Sequence, residues 1–362
     1  MFAFIFVFFH TSVNVLFAIR SFGLTSKPVF IKKVSMDQIC FTLACVFGFI
    51  TLGLLFVTPS YWWISLFFAV IFSQVSIIQF WKHLKLLTSL NVLLLFAVFL
   101  GFLDLRFHHL VLSERQTLYN LADLSPSSPI TVSDISHLPQ SVQNWMIASG
   151  VVGKPHLTVV SSTQDALMKL SPSDTKWLRA KSEQISTSFP PAFIWNVRLR
   201  MFGLPVFGVD SFMKGKGSML IKLLGLVPVV NTRDNLQINE GALQRWLGEI
   251  VWVPSAALNP LITWVEVDSK TAHATLAVDG TVGDGTFYFN DDGLLDKFST
   301  MRFQGEADTK TEWVVTIEKH AVTDGYTYPS KFYLTWKLEE GDWDWMKMTV
   351  TSYRVNKFLK KF

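Results

Sequence analysis

Cysteine is nearly absent from this chain. Its 362 residues include two cysteines, Cys40 and Cys45, and both lie in an apolar run. The sequence after residue 104 has none, which excludes a disulfide framework and any thiolate metal site in that part. A domain without thiols fits an extracytoplasmic location, although it is also compatible with other compartments.

Excess positive charge is missing from most of the chain. The formal net charge of +4 comes entirely from residues 1–104, which hold six lysine and arginine residues and two aspartates. The remaining chain has 26 basic and 26 acidic residues. Such a balanced domain lacks the electrostatic footprint of nucleic-acid binding, so we predict no nucleic-acid partner.

Motifs that identify an enzyme or a cofactor site are also lacking. No Gly-x-Ser-x-Gly nucleophile motif occurs. Residues 210–217 resemble a phosphate loop only superficially, because the Lys-Ser/Thr ending and the following helix are missing, and they predict a hairpin turn instead. Apart from the adjacent His108 and His109, the histidines after residue 104 show no metal-ligand spacing on a helix. We therefore predict no cofactor and no metal, and favour a function other than catalysis.

Apolar residues, by contrast, are abundant. They make up 50% of the chain, which has 32 phenylalanines and 13 tryptophans. In residues 1–104 they form four segments, each close to the ~20 residues that cross a bilayer core. We predict spans at about 2–19, 38–57, 61–80 and 86–103. A secretory signal is the alternative for the first segment, but no basic residue precedes it and no small-residue cleavage site follows it.

Basic residues predict the orientation of these spans. They lie in two loops, with Arg20, Lys27, Lys32 and Lys33 in one and Lys82 and Lys85 in the other. The positive-inside rule places both loops in the cytoplasm, so the chain after residue 104 faces outside. We predict a multi-pass protein of the bacterial cytoplasmic membrane, with membrane lipids as partners and an extracytoplasmic C-terminal domain. Protein partners are not indicated.

Four polar residues interrupt the predicted spans, namely His10, Asn14, Gln74 and Asn91. Polar groups inside a bilayer can mark a proton or substrate path. They can also hold helices together by hydrogen bonds. We favour the second interpretation, because the segments contain no carboxylate and no broken helix pair.

After a connector at 105–137, residues 138–362 predict a single α+β domain. A short helix is expected at residues 138–146, with Gly150 as its C-terminal cap. Many short alternating segments separated by turn signals predict an antiparallel curved sheet or half-barrel. The expected strands lie at about 156–163, 165–170, 177–187, 193–202, 206–213, 217–224, 262–268, 271–279, 282–290, 294–303, 311–320, 331–339 and 343–354.

A second helix interrupts the strands at about residues 240–252, and we expect the sheet to wrap around it. Asn239 is the predicted cap and Pro254 the predicted stop. The apolar residues at helical spacing are Leu243, Trp246, Leu247 and Ile250. This stripe has to be buried, and the concave side of a curved sheet is the expected place.

Arg245 and Glu249 are the first candidates for a site, because residues four apart on a helix point from the same face. They can form a structural clamp, which we favour. If they face a cavity, Arg245 could instead grip a lipid phosphate or carboxylate. Asp210 is a further candidate. The aromatic candidates, which could line a ligand cavity or fill a closed core, are Trp195, Trp246, Trp252, Trp313 and Trp336.

Several of these residues form a recognisable pattern. Its most specific part is the core Arg245-Trp246-Leu247-x-Glu249-x-x-Trp252-x-Pro254. Further parts are Leu138-Pro139, Trp145, Pro191–Trp195, Asp210, Gly215–Gly217, Trp264, Trp313 and Trp336. The pattern resembles the bacterial family DUF6544, and residues 1–104 resemble, more loosely, the membrane module of some members. The family implies no activity. Its helix in a curved sheet is similar to LolA-type lipoprotein carriers, by analogy of fold only.

Three functions remain open at this point. The leading hypothesis is a membrane-anchored extracytoplasmic domain that binds a lipid or other hydrophobic ligand. The second is an envelope enzyme with a cleft formed by Arg245 and Glu249. The third is a structural or partner-binding module without a ligand.

Overall fold

A computed structural model describes residues 2–21, 36–57, 61–123, 128–305 and 307–356. Three lysines of the first predicted basic loop and the turn at residues 58–60 lie outside these ranges. Internal contacts divide the chain into two units, Met1–His109 and Leu110–Phe362. The helices are α1 (Phe2–Ser21), α2 (Met36–Val57), α3 (Trp62–Gln79), α4 (Trp81–Leu84), α5 (Leu87–Leu121), α6 (Val132–Ile135), α7 (Gln140–Ala148) and α8 (Leu236–Glu249).

The apolar helices begin in the first unit, and α5 continues across the boundary at His109. Three of them are long and apolar enough to cross a membrane, with apolar stretches at Gln38–Val57, Trp62–Gln79 and Leu87–Leu121. The apolar part of α1, Phe4–Ile19, is shorter. Helix α5 continues well beyond the predicted span at 86–103, into the region expected to be a connector.

All strands belong to one antiparallel sheet. Its order is β6-β5-β4-β3-β2-β1-β13-β12-β11-β10-β9-β8-β7, and the sheet is curved and unclosed. The strands are β1 (Val159–Met168), β2 (Leu178–Thr187), β3 (Ala192–Met201), β4 (Leu204–Met213), β5 (Lys216–Leu223), β6 (Val227–Arg233), β7 (Ile262–Asp268), β8 (Thr271–Val278), β9 (Thr281–Phe289), β10 (Leu295–Phe303), β11 (Lys310–Thr323), β12 (Tyr326–Leu338) and β13 (Gly341–Val355).

The path of the chain through this sheet explains the position of α8. The chain starts at the centre with β1 and proceeds by hairpins to the edge strand β6. It then passes through α8 to the opposite edge strand, β7, and returns by hairpins to β13, which pairs with β1. The helix is therefore the connection between the two edges. The half of the sheet from β2 to β6 is called the first wing below, and the half from β7 to β12 the second wing.

Helix α8 packs closely on both wings. A Cβ at Gly217 of β5 would lie 2.4 Å from the backbone oxygen of Ile238, and a Cβ at Gly248 would lie 2.7 Å from the ring of Phe298 on β10. These glycines are required because no side chain fits at either approach. Leu243, Trp246 and Leu247 are buried, as the apolar stripe predicts. The face of the sheet that contacts α8 is called the inner face.

Three local predictions need correction. Helix α8 begins one turn earlier than expected, and Asn235 is its cap, since its side chain accepts from the Ile238 N–H at 2.9 Å. The predicted cap Asn239 lies inside the helix and instead accepts from the Gly217 N–H at 2.7 Å. The segments predicted at 156–163 and 165–170 form one strand, β1. Strand β6 is not among the predicted strands; its Pro228 is compatible with a strand because β6 lies at an edge of the sheet.

The predicted hairpin turn after β4 and the predicted glycine cap of α7 are both confirmed. The loop between β4 and β5 is a two-residue hairpin turn, Lys214-Gly215, with φ of 53° and 72°. Positive φ at both residues is the requirement of a tight hairpin, and Gly215 satisfies it without strain. At the end of α7, Gly150 has φ of 72° and donates its N–H to the Ile147 oxygen at 3.0 Å, as expected for a cap.

Candidate functional site

Three neighbouring strands of the first wing bring polar and aromatic candidates into one row. Strand register pairs Gln184 of β2 with Trp195 of β3, and Trp195 with Asp210 of β4. Residues directly opposite one another on adjacent strands project from the same face. The row therefore places all three side chains on the inner face, in reach of α8.

The side chain of Arg245 on α8 contacts this row. Its Nε donates to Glu249 Oε1 at 2.9 Å, and its Nη1 donates to Asp210 Oδ2 at 2.7 Å. Its Nη2 donates to Gln184 Oε1 at 3.2 Å, while Gln184 Nε2 donates to Glu249 Oε2 at 2.6 Å. These hydrogen bonds join the four side chains, which we call the inner polar cluster; Asp210 Oδ1 is buried without a partner among the described residues.

The inner polar cluster is largely shielded from solvent. The side chains of Arg245 and Glu249 are 14% and 16% exposed, and that of Asp210 is 7% exposed. Burial raises the pKa of the Asp210 carboxyl, and Arg245 opposes that rise. Burial also disfavours the charged form of Arg245, but Glu249 and Asp210 outweigh it and raise its pKa. The contact distances are those of an ionised cluster.

Aromatic rings complete the surroundings of Arg245. The guanidinium carbon lies 4.8 Å from the ring centre of Phe193 and 4.9 Å from that of Trp195. Both distances lie within the range of a cation–π interaction. The indole N–H of Trp195 donates to Gln164 at 3.2 Å, which fixes the ring. The sequence had predicted Arg245, Glu249, Asp210 and Trp195 as candidates, and the structure brings them together.

A second arginine contacts aromatic rings on the second wing. Arg302 of β10 stacks on Trp313 of β11, with 4.7 Å from its guanidinium carbon to the ring centre, and lies 5.9 Å from the ring of Trp336. The two tryptophans are direct partners across β11 and β12. Burial lowers the pKa of Arg302 to about 10. The sequence predicted Trp313 and Trp336 as candidates. It did not predict Arg302, which lies between Trp313 and α8.

The other two aromatic candidates lie apart from either arginine. Trp246, the residue after Arg245 on α8, donates its indole N–H to the Thr187 oxygen of β2 at 3.0 Å. Trp252 donates to the Pro329 oxygen at 2.8 Å and packs on Phe332, with 4.9 Å between ring centres. Both indoles are thereby engaged in the framework of the domain.

Sequence reasoning missed Gln184 and Arg302. Arg302 carried a usable signal, because it continues the alternation of the buried Phe298 and Thr300 along β10 and so lies, partly buried, on the same face. A charged residue at a buried strand position needs a physical explanation. Gln184 carried no signal, because it alternates with Ser182 and Ser186 in a strand whose inner face looks polar in sequence.

Other features of the domain do not coincide with these side chains. A surface cleft of about 410 Å³ is lined by residues of α7 and of the β7–β8 and β9–β10 turns, including Ser141, Lys270 and Gly293. None of the eight candidate residues lines it. Among the residues that the structure describes, no group of three or more His, Cys, Asp or Glu side chains has the spacing of a metal site.

The polar residues of the apolar helices form a cluster of their own. His10 Nε2 and Asn91 Oδ1 are 3.1 Å apart, and the Asn14 amide donates to the His10 backbone oxygen at 2.9 Å. Asn91 in turn donates to Gln74 Oε1 at 2.9 Å. These bonds link α1, α3 and α5, which favours the interpretation that the four residues hold the helices together.

Comparison with solved structures finds a LolA superfamily protein from Nitrosomonas europaea. The two chains are 8% identical, and the match covers 64% of this chain and 96% of that one, with a TM-score of 0.32. At this level the similarity is an analogy and supports no inference about function. No curated protein matches the sequence.

Comparison with protein families gives a direct assignment. Residues 128–348 match DUF6544, described as a family of unknown function. The matched range, which is more than half of the chain, contains both wings, α8 and all eight candidate residues. The resemblance seen in the Arg245–Pro254 core is thus confirmed, and the chain belongs to the DUF6544 family.

Proposed function

We propose that this chain is a multi-pass membrane protein whose C-terminal domain binds a lipid or another hydrophobic ligand on the inner face of its sheet. The observation that carries the proposal is the lining of that face, where Arg245 stacks on Trp195, and Arg302 on Trp313 and Trp336. Aromatic side chains with a few fixed polar groups are typical of ligand sites. Charged residues are rarely placed in a core that only has to be filled.

The proposal includes four membrane spans, with α1 as the fourth. The two basic loops then lie in the cytoplasm, and the domain after residue 104 lies outside. This arrangement places the domain beside a reservoir of hydrophobic ligands. Membrane lipids are accordingly the first ligands to test.

The contacts of Arg245 support a structural role within this proposal. Each of its three nitrogens donates to a protein acceptor, namely Glu249, Asp210 or Gln184. A catalytic group has to reach a reactant, so these contacts weigh against the alternative of an envelope enzyme based on Arg245 and Glu249. We therefore expect the inner polar cluster to fix α8 to the first wing.

Ligand binding is tested by native mass spectrometry of the full chain after its release from dodecyl maltoside micelles. Organic extraction of the same preparation then identifies the bound molecule. We expect a hydrophobic molecule at a defined stoichiometry. Trp195→Leu, which removes an inner aromatic ring, should reduce its occupancy several-fold. Phe202→Leu is the matched control, because Phe202 is 96% exposed and its loss should leave occupancy unchanged.

The result that would overturn ligand binding is a protein mass without any adduct, from a preparation whose folding is confirmed by circular dichroism. A ligand lost equally in both variants would also contradict the role of the inner face. In either case the structural or partner-binding alternative would gain support.

The orientation is tested separately by cysteine labelling. Ser173→Cys and Lys85→Cys place thiols at exposed positions of the C-terminal domain and of the second basic loop. In spheroplasts, a membrane-impermeant maleimide should label the first directly and the second only after lysis. The native thiols Cys40 and Cys45 are buried, so the unmutated chain gives the background. Labelling of Lys85→Cys before lysis would contradict the proposed orientation.

A further inference from the structure

A glycine of α8 makes room for the side chain of Arg302. It is one residue from the end of β10, and its guanidinium lies against the backbone of α8 at Gly241. A Cβ at Gly241 would lie 3.1 Å from Arg302 Nη2 and 3.6 Å from Nε. The absence of a side chain at Gly241 therefore allows Arg302 to lie between the helix and the ring of Trp313.

The donors at this place lack protein acceptors. Within the described part of the chain, Arg302 Nε is buried without a hydrogen-bond partner, and Arg302 forms no ion pair. The indole N–H of Trp313 is also buried without a partner, in a residue that is 3% exposed. Buried donors are nearly always satisfied in folded proteins. Arg302 and the tryptophan on which it stacks therefore each have a buried donor for which the described protein groups supply no acceptor.

The carboxylates nearest to Arg302 are already engaged. Asp210 and Glu249 both bind Arg245, and Glu240 forms an ion pair with Lys310 at the start of β11. They act on Arg302 only through their fields.

We propose that Arg302 and the indole N–H of Trp313 bind the anionic head group, a carboxylate or a phosphate, of an amphiphile whose hydrocarbon chain lies on the inner face. This inference rests on the proposed function and specifies its ligand. A guanidinium presents N–H groups in a planar fork that matches the oxygens of either head group. The stacked tryptophans hold the fork in place and supply apolar surface beside it.

The test compares three probes that share one hydrocarbon chain, namely oleate, oleyl phosphate and oleyl alcohol. Each is added to the full chain in dodecyl maltoside, and occupancy is measured by native mass spectrometry. We expect the wild type to retain at least one anionic probe roughly tenfold better than the alcohol, as a hydrogen-bonded charge would give. A preference for oleate or for oleyl phosphate identifies the head group.

The variants assign that preference to the proposed residues. Arg302→Met should abolish it by weakening the anionic probe roughly tenfold and leaving oleyl alcohol unchanged. Trp313→Phe keeps the ring and removes the N–H, so it should cause a smaller loss for the anion alone. Arg179→Met is the matched control, because Arg179 is exposed on β2 and should have no effect on any probe.

The outcomes separate this inference from the proposed function. If oleyl alcohol binds as well as both anions, or if Arg302→Met weakens all three probes equally, the head-group site is overturned and hydrophobic binding stands. If no probe binds, both fail. If Arg302→Met does not fold, Trp313→Phe decides: a loss confined to the anions supports the site, and an unchanged preference overturns it.

Discussion

On each wing of the sheet an arginine stacks on a tryptophan, but the two arginines differ in their hydrogen-bond acceptors. On the first wing, Arg245 stacks on Trp195 and donates to three protein acceptors. On the second wing, Arg302 stacks on Trp313, yet its buried Nε has no acceptor within the described residues. Stacking on an aromatic ring is therefore common to both, and the supply of acceptors distinguishes them.

This difference separates two reasons for burying a charge. Removing a guanidinium from water is costly, and the cost is recovered only if hydrogen-bonding partners replace the water. The protein provides those partners for Arg245, which makes it part of the framework. Among the described residues none accepts from Arg302 Nε, so this buried donor is left without an acceptor. The following predictions test whether the two arginines differ in this way.

The largest effect is expected for Arg245→Met. The substitution leaves Asp210 and Glu249 buried without their cation, and breaking such a pair costs about 3–5 kcal/mol. The measurement is the free energy of unfolding of the full chain in detergent, from denaturant titration followed by tryptophan fluorescence. Arg179→Met on the surface should stay within about 0.5 kcal/mol of the wild type. A loss of less than about 1 kcal/mol for Arg245→Met would show that the inner polar cluster is not a structural clamp.

Much of this framework could be predicted from the sequence, because it depends on local patterns. The alternation of strands, the hairpin turn at Lys214-Gly215 and the four-residue spacing of Arg245 and Glu249 all follow from chain geometry. The pairing of β1 with β13 brings together residues nearly two hundred positions apart, and no local pattern encodes it. For the same reason Asp210 could be proposed as a candidate, whereas its bond to Arg245 could not.

The second wing was less predictable for a related reason. Trp313 and Trp336 were recognisable as aromatic residues on strands, but their common partner Arg302 depends on the register of β10 against β11. Gly241 gave no indication of its role, which is to leave room for that side chain. The site therefore needs tertiary structure, even though each strand that forms it could be predicted.

A smaller effect is expected for Glu249→Gln. The amide can still accept from Arg245 Nε, but it removes one negative charge and presents N–H groups to Gln184, which already donates there. Loss of a charge-assisted hydrogen bond predicts a destabilisation of about 1–3 kcal/mol, measured in the same titration. Gln184→Glu is the complementary variant, because it adds a third carboxylate beside Arg245 and should also destabilise. A neutral result for Glu249→Gln would mean that Asp210 alone balances Arg245.

Arg302→Met should change stability by no more than about 1 kcal/mol in the absence of ligand. The variant loses a cation–π contact worth roughly 0.5–2 kcal/mol. It also removes a buried donor without a partner, and relief of that penalty opposes the loss. The measurement is thermal unfolding of the full chain, with Arg302→Met and Arg245→Met compared under the same conditions. If the two variants are equally unstable, Arg302 belongs to the framework, and the distinction between the wings is lost.

The alkaline pH dependence gives the most specific contrast. Burial lowers the pKa of Arg302 to about 10, whereas its value in the unfolded chain is about 12.5 or higher. Between pH 9 and 11 the folded state therefore releases a proton that the unfolded state keeps, and the free energy of unfolding rises with pH. Relative to Arg302→Met, which lacks this group, the wild type should gain about 1.4 kcal/mol over that range, because the difference in bound protons integrates to about one pKa unit. The neighbouring carboxylates raise the pKa of Arg245, so Arg245 stays protonated in both states and the difference between wild type and Arg245→Met should not change. Lysines and tyrosines that titrate in the same range are common to all three proteins and cancel in both differences. Equal pH dependence in the two differences would show that the arginines occupy equivalent environments.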